Sequence, residues 1–208
     1  MTVLSKNVIW PSGLRISLRL ALALFVSCLI AVTVSAQGMK LRTIENGLEY
    51  EKCPIELISR GVGPQKFNSQ NQGLASSDWL KDIRLEVKNI SDKSIASFSI
   101  EVIIPKYGNM QVPFAISLDY PDAAIVNTKT GVLKPGEIVT VGVTNAQGTF
   151  WTRELAKYGV SQLPQVNLEI LQVIYDDDTG WQKGLDVVRD PSTQLKIYKP
   201  VAKKRGTY

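Results

Sequence analysis

IRLEVKNISDKSIASFSIEVIIP, residues 83–105, decides the fold. From Ile83 to Lys88 apolar and charged residues alternate without a miss, which is the period of a strand with one buried face. Asn89 to Ser94 makes a polar turn. Ala96, Phe98, Ile100, Val102 and Ile104 then share one face of a second strand, which stops at Pro105. Two such strands across a short polar turn predict an antiparallel hairpin.

The same period continues downstream. Met110, Val112, Phe114, Ile116 and Leu118 alternate, and Pro113 places that strand at an edge. Leu133-Lys134-Pro135-Gly136-Glu137 is a Pro-Gly turn leading into a strand over Ile138 to Val143. The helical period occurs once, over Phe150 to Tyr158, where Trp151, Leu155 and Tyr158 recur at spacings of four and three before Gly159. Val166, Leu168 and Ile170 alternate, and Leu171, Val173 and Tyr175 continue out of phase, as a bulge would make them. Asp176 to Gly180 turns the chain into a last strand containing Trp181 that ends before Asp190-Pro191. Upstream, Cys53 to Val62 reads as a first strand and Gly63 to Ser77 as a polar loop.

Many strands, one short helix and no alternation of strand with helix predict an all-β domain, an immunoglobulin-like antiparallel β-sandwich. The Cys…Trp…Cys spacing of antibody domains is absent, so the term describes architecture. Residues 53–195 form the expected sandwich, 37–52 a polar lead-in with one short strand at most, and 196–208 a basic flexible tail.

Residues 1–36 read as a signal peptide. Lys6, Arg15 and Arg19 form a basic region without acidic residues. Leu20 to Val34 is an apolar run too short for a comfortable membrane span, and Val34-Ser35-Ala36 suits signal peptidase. Export to the periplasm or beyond the cell follows, with no transmembrane span after cleavage; the alternative is an uncleaved signal anchor. Cys28 lies inside the apolar run and not at a lipobox end, so it reads as an ordinary residue of the run.

Charge is uninformative once the signal is set aside. Removing Lys6, Arg15 and Arg19 from the 24 basic residues leaves 21 against 19 acidic ones, and five of those lie at Lys196, Lys199, Lys203, Lys204 and Arg205. No nucleic-acid partner is expected, because no basic folded face with base-reading residues is apparent.

WLKDIRLEVKNISDKSI (79–95), LKPGE (133–137) and QVIYDDDTGW (172–181) followed by RDP (189–191) together resemble a family of uncharacterised exported bacterial proteins. The resemblance implies a secreted sandwich and supplies no catalytic residues.

Chemistry is bounded by missing residue types. The sequence holds no histidine, which removes Ser-His-Asp and Cys-His catalysis and His-ligated metals. After the signal only Cys53 remains, so thiolate metal clusters are excluded; the thiol is either buried or bridges to another chain. No phosphate-binding glycine motif occurs. No catalytic, cofactor-binding or metal residues are therefore assigned, and no cofactor is expected. Asp176, Asp177 and Asp178, with Asp186 and Asp190 beyond them, are candidates for a carboxylate pair or calcium, but aspartates in a hairpin turn are what turn geometry selects. Trp79, Trp151 and Trp181 are candidate sugar platforms, against the ordinary role of large aromatics as core. Asn89-Ile90-Ser91 is a glycosylation sequon sited in a turn. The expectation is a non-enzymatic binding or structural module of the bacterial envelope or extracellular space, with an unknown protein or glycan partner. A carbohydrate-binding module and a carboxylate-only hydrolase are the alternatives.

Overall fold

The computed structural model describes residues 38–126, 131–193 and 196–201. The expected signal peptide with Cys28, and the tail from Ala202, lie outside them. Within Lys40–Tyr208, two β-sheets pack face to face around one apolar core, a β-sandwich with one short α-helix among the described residues.

The large sheet is organised by its two longest strands. β6 (Ile95–Ile104) lies between β7 (Phe114–Tyr120) and β10 (Gln165–Tyr175), antiparallel to both. The other edge of β10 is divided. Its first half pairs with β1 (Lys40–Asn46), which carries β4 (Gln72–Ala75) outside it, and its second half pairs with β11 (Thr179–Gln182). β12 (Leu185–Arg189) and β13 (Tyr198–Pro200) follow β11 outward. The small sheet runs β3 (Gln65–Lys66), β2 (Ile55–Val62), β5 (Ile83–Asn89), β9 (Ile138–Gly142), β8 (Ala124–Val126).

β5 follows its alternation to the letter. Ile83, Leu85 and Val87 are fully buried, while Arg84, Glu86 and Lys88 are half-buried on the other face. β5 and β6 are not a hairpin, however. They belong to opposite sheets, so Ile90–Ser94 is an arch that carries the chain across the sandwich. Asn89 makes the corner. Its buried amide donates to the carbonyls of Lys93 and Leu133, and its Oδ1 accepts from Ser91 N and Oγ. NISDKS has no glycine to twist two strands back alongside each other. Facing across the core buries both apolar faces equally well.

Three further expectations are corrected. The lead-in over 37–52 supplies a full strand: β1 runs parallel to β10, so the sandwich begins at Lys40 and is not wholly antiparallel. Gly63 to Ser77 contributes β3 and β4. The stretch assigned to the basic tail contributes β13, whose Lys199 pairs with Asp190 at 2.6 Å. Polar composition hid all three, because most of their side chains are exposed and only a few, such as Arg42, Ile44 and Ala75, are buried.

The phase change in β10 is a bulge at Leu171, between the Ile170–Ile100 and Gln172–Ser99 pairs. The helix α1 (Asn145–Lys157) starts before its apolar period does, at a capping box in which Thr144 and Gln147 satisfy each other's backbone amides. It lies on the 3-10 turn Trp79–Asp82, close enough that a side chain at Gly148 would meet Lys81 Cβ at 2.2 Å.

Candidate functional site

The side of the sandwich where β10 changes partners holds an open groove of about 550 Å³. It arises because β1 ends at Asn46 and β11 begins lower on the same β10 edge. The segment 47–54 crosses from the large sheet to the small one beside that gap. Gly47 makes the departure possible: its N–H donates to Leu168 O at 2.6 Å, and a Cβ there would lie 2.7 Å from that oxygen.

Part of the lining is apolar. Leu168 and Ile170 come from β10, Leu57 from β2, and Trp181 from β11. Leu48 and Ile90 flank the mouth, 67% and 53% exposed. Polar side chains line it as well, among them Glu49 and Glu56, and its two ends differ. At one, Arg60 bridges the sheets: Nη1 donates to Asn71 Oδ1 at 3.0 Å, Nη2 donates to Asn46 Oδ1, and its buried Nε has no partner. Burial pulls this guanidinium below its usual range, partly opposed by Glu49.

At the other end Tyr50 stands edge-on to Trp181, their centroids 6.0 Å apart, and its hydroxyl donates to Glu169 Oε1 at 2.7 Å. Lys183 Nζ reaches the same oxygen at 2.9 Å. Burial pushes the Glu169 carboxyl up, but the Tyr50 hydroxyl and Lys183 ammonium outweigh it and hold the group below the ordinary carboxylate range. Glu101 lies directly opposite on β6. A carboxylate pair that cleaves glycosides needs one member kept protonated. Glu169 is tuned the other way.

Cys53 also lines the groove. It is half-buried, neither fully enclosed nor free. Its thiol donates to Ile55 O at 3.3 Å, and burial raises its pKa. A raised thiol pKa means little thiolate at neutral pH and low reactivity.

The candidates marked in the sequence are not brought together here, Trp181 and Cys53 excepted. The aspartate turn is built as a turn: Asp178 takes the left-handed conformation at φ 60°, and Asp177 Oδ1 accepts from Thr179 N. The Lys93 ammonium and Thr179 hold Asp177 at about 2, and Asp178 pairs with Arg189 at 3.2 Å. Asp186 is exposed and Asp190 is buried against Lys199 and Ser192. Among the described residues no three His, Cys, Asp or Glu side chains gather as a metal site. Trp79 and Trp181 are core, their indole N–H groups donating to Leu163 O and Glu51 O. Trp151 is half-buried against Phe114. Trp79 and Trp181 therefore offer no exposed ring face.

Tyr50, Arg60, Glu169 and Lys183 carried no signal in the sequence, because each lies in a different element and only the parting of β1 and β11 assembles them. Arg42 was equally hidden. It is fully buried, with Nη1 and Nη2 on the carbonyls of Leu163 and Ser76 and Nε unpaired, and burial lowers its pKa.

No protein-family model, curated protein or solved structure matches this chain. Among the described residues no helix is long and apolar enough to cross a membrane.

Proposed function

We propose that this chain is an exported, non-catalytic binding module of the bacterial envelope or extracellular space, and that its partner is seated in the groove beside Tyr50 and Trp181. The observation that carries the reading is the groove itself. It falls within the usual size of ligand sites, combines the apolar side chains of Leu57, Leu168, Ile170 and Trp181 with polar groups that include Glu49, Glu56 and Arg60, and carries two exposed aliphatic residues, Leu48 and Ile90. Glu169, the carboxylate that Tyr50 reaches, is engaged by Tyr50 and Lys183, and the sequence has no histidine to act as a base. Resemblance to exported bacterial proteins and the N-terminal signal pattern support the location.

The test compares wild type with Leu48→Arg and Ile90→Arg, both at exposed positions where folding is unaffected. Glycan arrays and displayed random peptides are screened for binding, and polysaccharide, ester and peptide substrates for turnover. Ligands held by wild type and weakened at least tenfold by either arginine are expected, with no turnover. Equal binding by all three proteins would move the site elsewhere, and turnover would overturn the non-catalytic reading.

A further inference from the structure

One wall of the groove is a strand edge. β2 pairs with β5 along its whole length, but on its other side β3 covers only Gly61 and Val62. Phe67 N–H adds one bond to Arg60 O. From Ile55 to Ser59 no strand among the described residues pairs with that edge, and the groove runs alongside it.

The phase of the ladder says which backbone groups face the opening. Antiparallel residues alternate between pointing at the partner strand and away from it. Ile90 N–H donates to Pro54 O, so Glu56 points toward β5, and the N–H and C=O groups of Ile55 and Leu57 point into the groove. One of these groups is already capped: Ile55 O accepts the Cys53 thiol. A thiol is a weak donor, which an incoming amide displaces readily. Beyond Leu57, the bulge at Ile58 bends the strand before Arg60 turns inward to bridge the sheets.

Resting on the groove as the binding site, we infer that its ligand is an extended peptide segment of a partner protein, added as a strand to β2. Donors and acceptors recurring at the two-residue repeat of a strand, about 7 Å, are matched by another polypeptide backbone and not by a sugar ring or an acyl chain. The incoming strand pairs with Ile55 and Leu57. Every second side chain then enters the apolar wall between Leu48, Ile90, Leu168 and Ile170, so alternate aliphatic or aromatic residues are selected. Backbone pairing provides the affinity and the wall provides the choice.

The experiment uses peptides of eight to ten residues selected by wild-type protein from a random display library and counter-selected against Leu48→Arg. The strongest is resynthesised with single N-methyl amides along its length. Strand addition predicts that methylation at alternate positions weakens binding at least tenfold while the intervening positions change it less than threefold. Hydrogen exchange at the amides of Ile55 and Leu57 should slow on binding, and Cys53 should label faster with a thiol reagent as its S–H hydrogen bond to Ile55 O is broken. A uniform methylation profile, or no protection at Ile55 and Leu57, would overturn strand addition while leaving the groove as the site. Glycans selected in place of peptides would do the same. A concentration-dependent dimer lost in Leu48→Arg would make a second copy the occupant and refute the separate partner. Peptides that bind Leu48→Arg and Ile90→Arg as well as wild type would overturn the groove reading itself.

Discussion

β5 and β2 are neighbours in the small sheet and share one ladder from Ile55–Asn89 to Val62–Ile83, yet they are built differently. β5 has a strand on each side, a buried residue at every second position and no irregularity. β2 has a complete partner on one side only, a bulge at Ile58, and half-buried Leu57 facing a groove. A strand closed on both edges can satisfy every backbone group within the fold. Its open neighbour keeps part of its bonding capacity for something else. The difference teaches that structure and binding capacity separate at the level of single strands within one sheet.

The sharpest way to break this contrast is charge in β5. Val87→Asp places an unpaired carboxylate in the core and should cost on the order of 5 kcal/mol, abolishing the cooperative urea transition followed by circular dichroism. A folded Val87→Asp protein would mean that β5 is not closed as described. Truncation gives a graded version. Leu85→Ala should cost about 3 kcal/mol, as a fully buried leucine does, and Leu57→Ala about half that, since its side chain already borders solvent. Equal losses would show that the two strands are packed alike.

A pH series sharpens the contrast at the far edge of the large sheet. Lys199 and Ser192 hold Asp190 at about 2, below the ordinary 3.8 of an aspartate. The folded state therefore favours the carboxylate. Its contribution is complete above about pH 4 and is lost as pH falls through about 2. Asp190→Asn should melt earlier than wild type at pH 7, with the difference closing between pH 4 and 2. A difference that persists at pH 2 would assign the effect to packing of β13 and not to charge. The smallest effect is expected at Lys88, which lies opposite Glu56 across the β5–β2 ladder. Lys88→Asp sets like charges face to face and should cost about 0.5 kcal/mol in the same urea assay. A loss approaching that of Val87→Asp would put the register off by one residue.

What could be read from the sequence follows the same division. Ile83 to Lys88 and Phe98 to Ile104 announce themselves because burial on one face imposes a period, and that period survives in the residue types. The partner of each strand does not survive there. An arch and a hairpin demand the same alternation from 83–105, and only the side-chain bonds of Asn89 distinguish them. β1, β3, β4 and β13 bury too few side chains, Arg42, Ile44 and Ala75 among them, to impose a readable period. The groove is less legible still. It is defined by where β1 stops and β11 starts along β10, so Tyr50, Arg60 and Trp181 meet through topology and not through any spacing in the chain.

The parallel pairing of β1 with β10 has a kinetic consequence. Arg42 bonds to Leu163, 121 residues further on, and closing a loop of that length in an otherwise unfolded chain costs about 4 kcal/mol in entropy. Local units such as β5 with β9, β6 with β7 and β10 with β11 shorten the effective loop before that contact forms, so β1 should dock last. Among the described residues β4 pairs only with β1, so it waits with it. Such long-range closure belongs to the slow class of folding topologies, milliseconds to seconds. A chain delivered N-terminus first keeps β1 without its β10 partner until Gln165 to Leu168 has followed it through, and a chain truncated before Gln165 leaves the β1–β4 pair with no sheet to join.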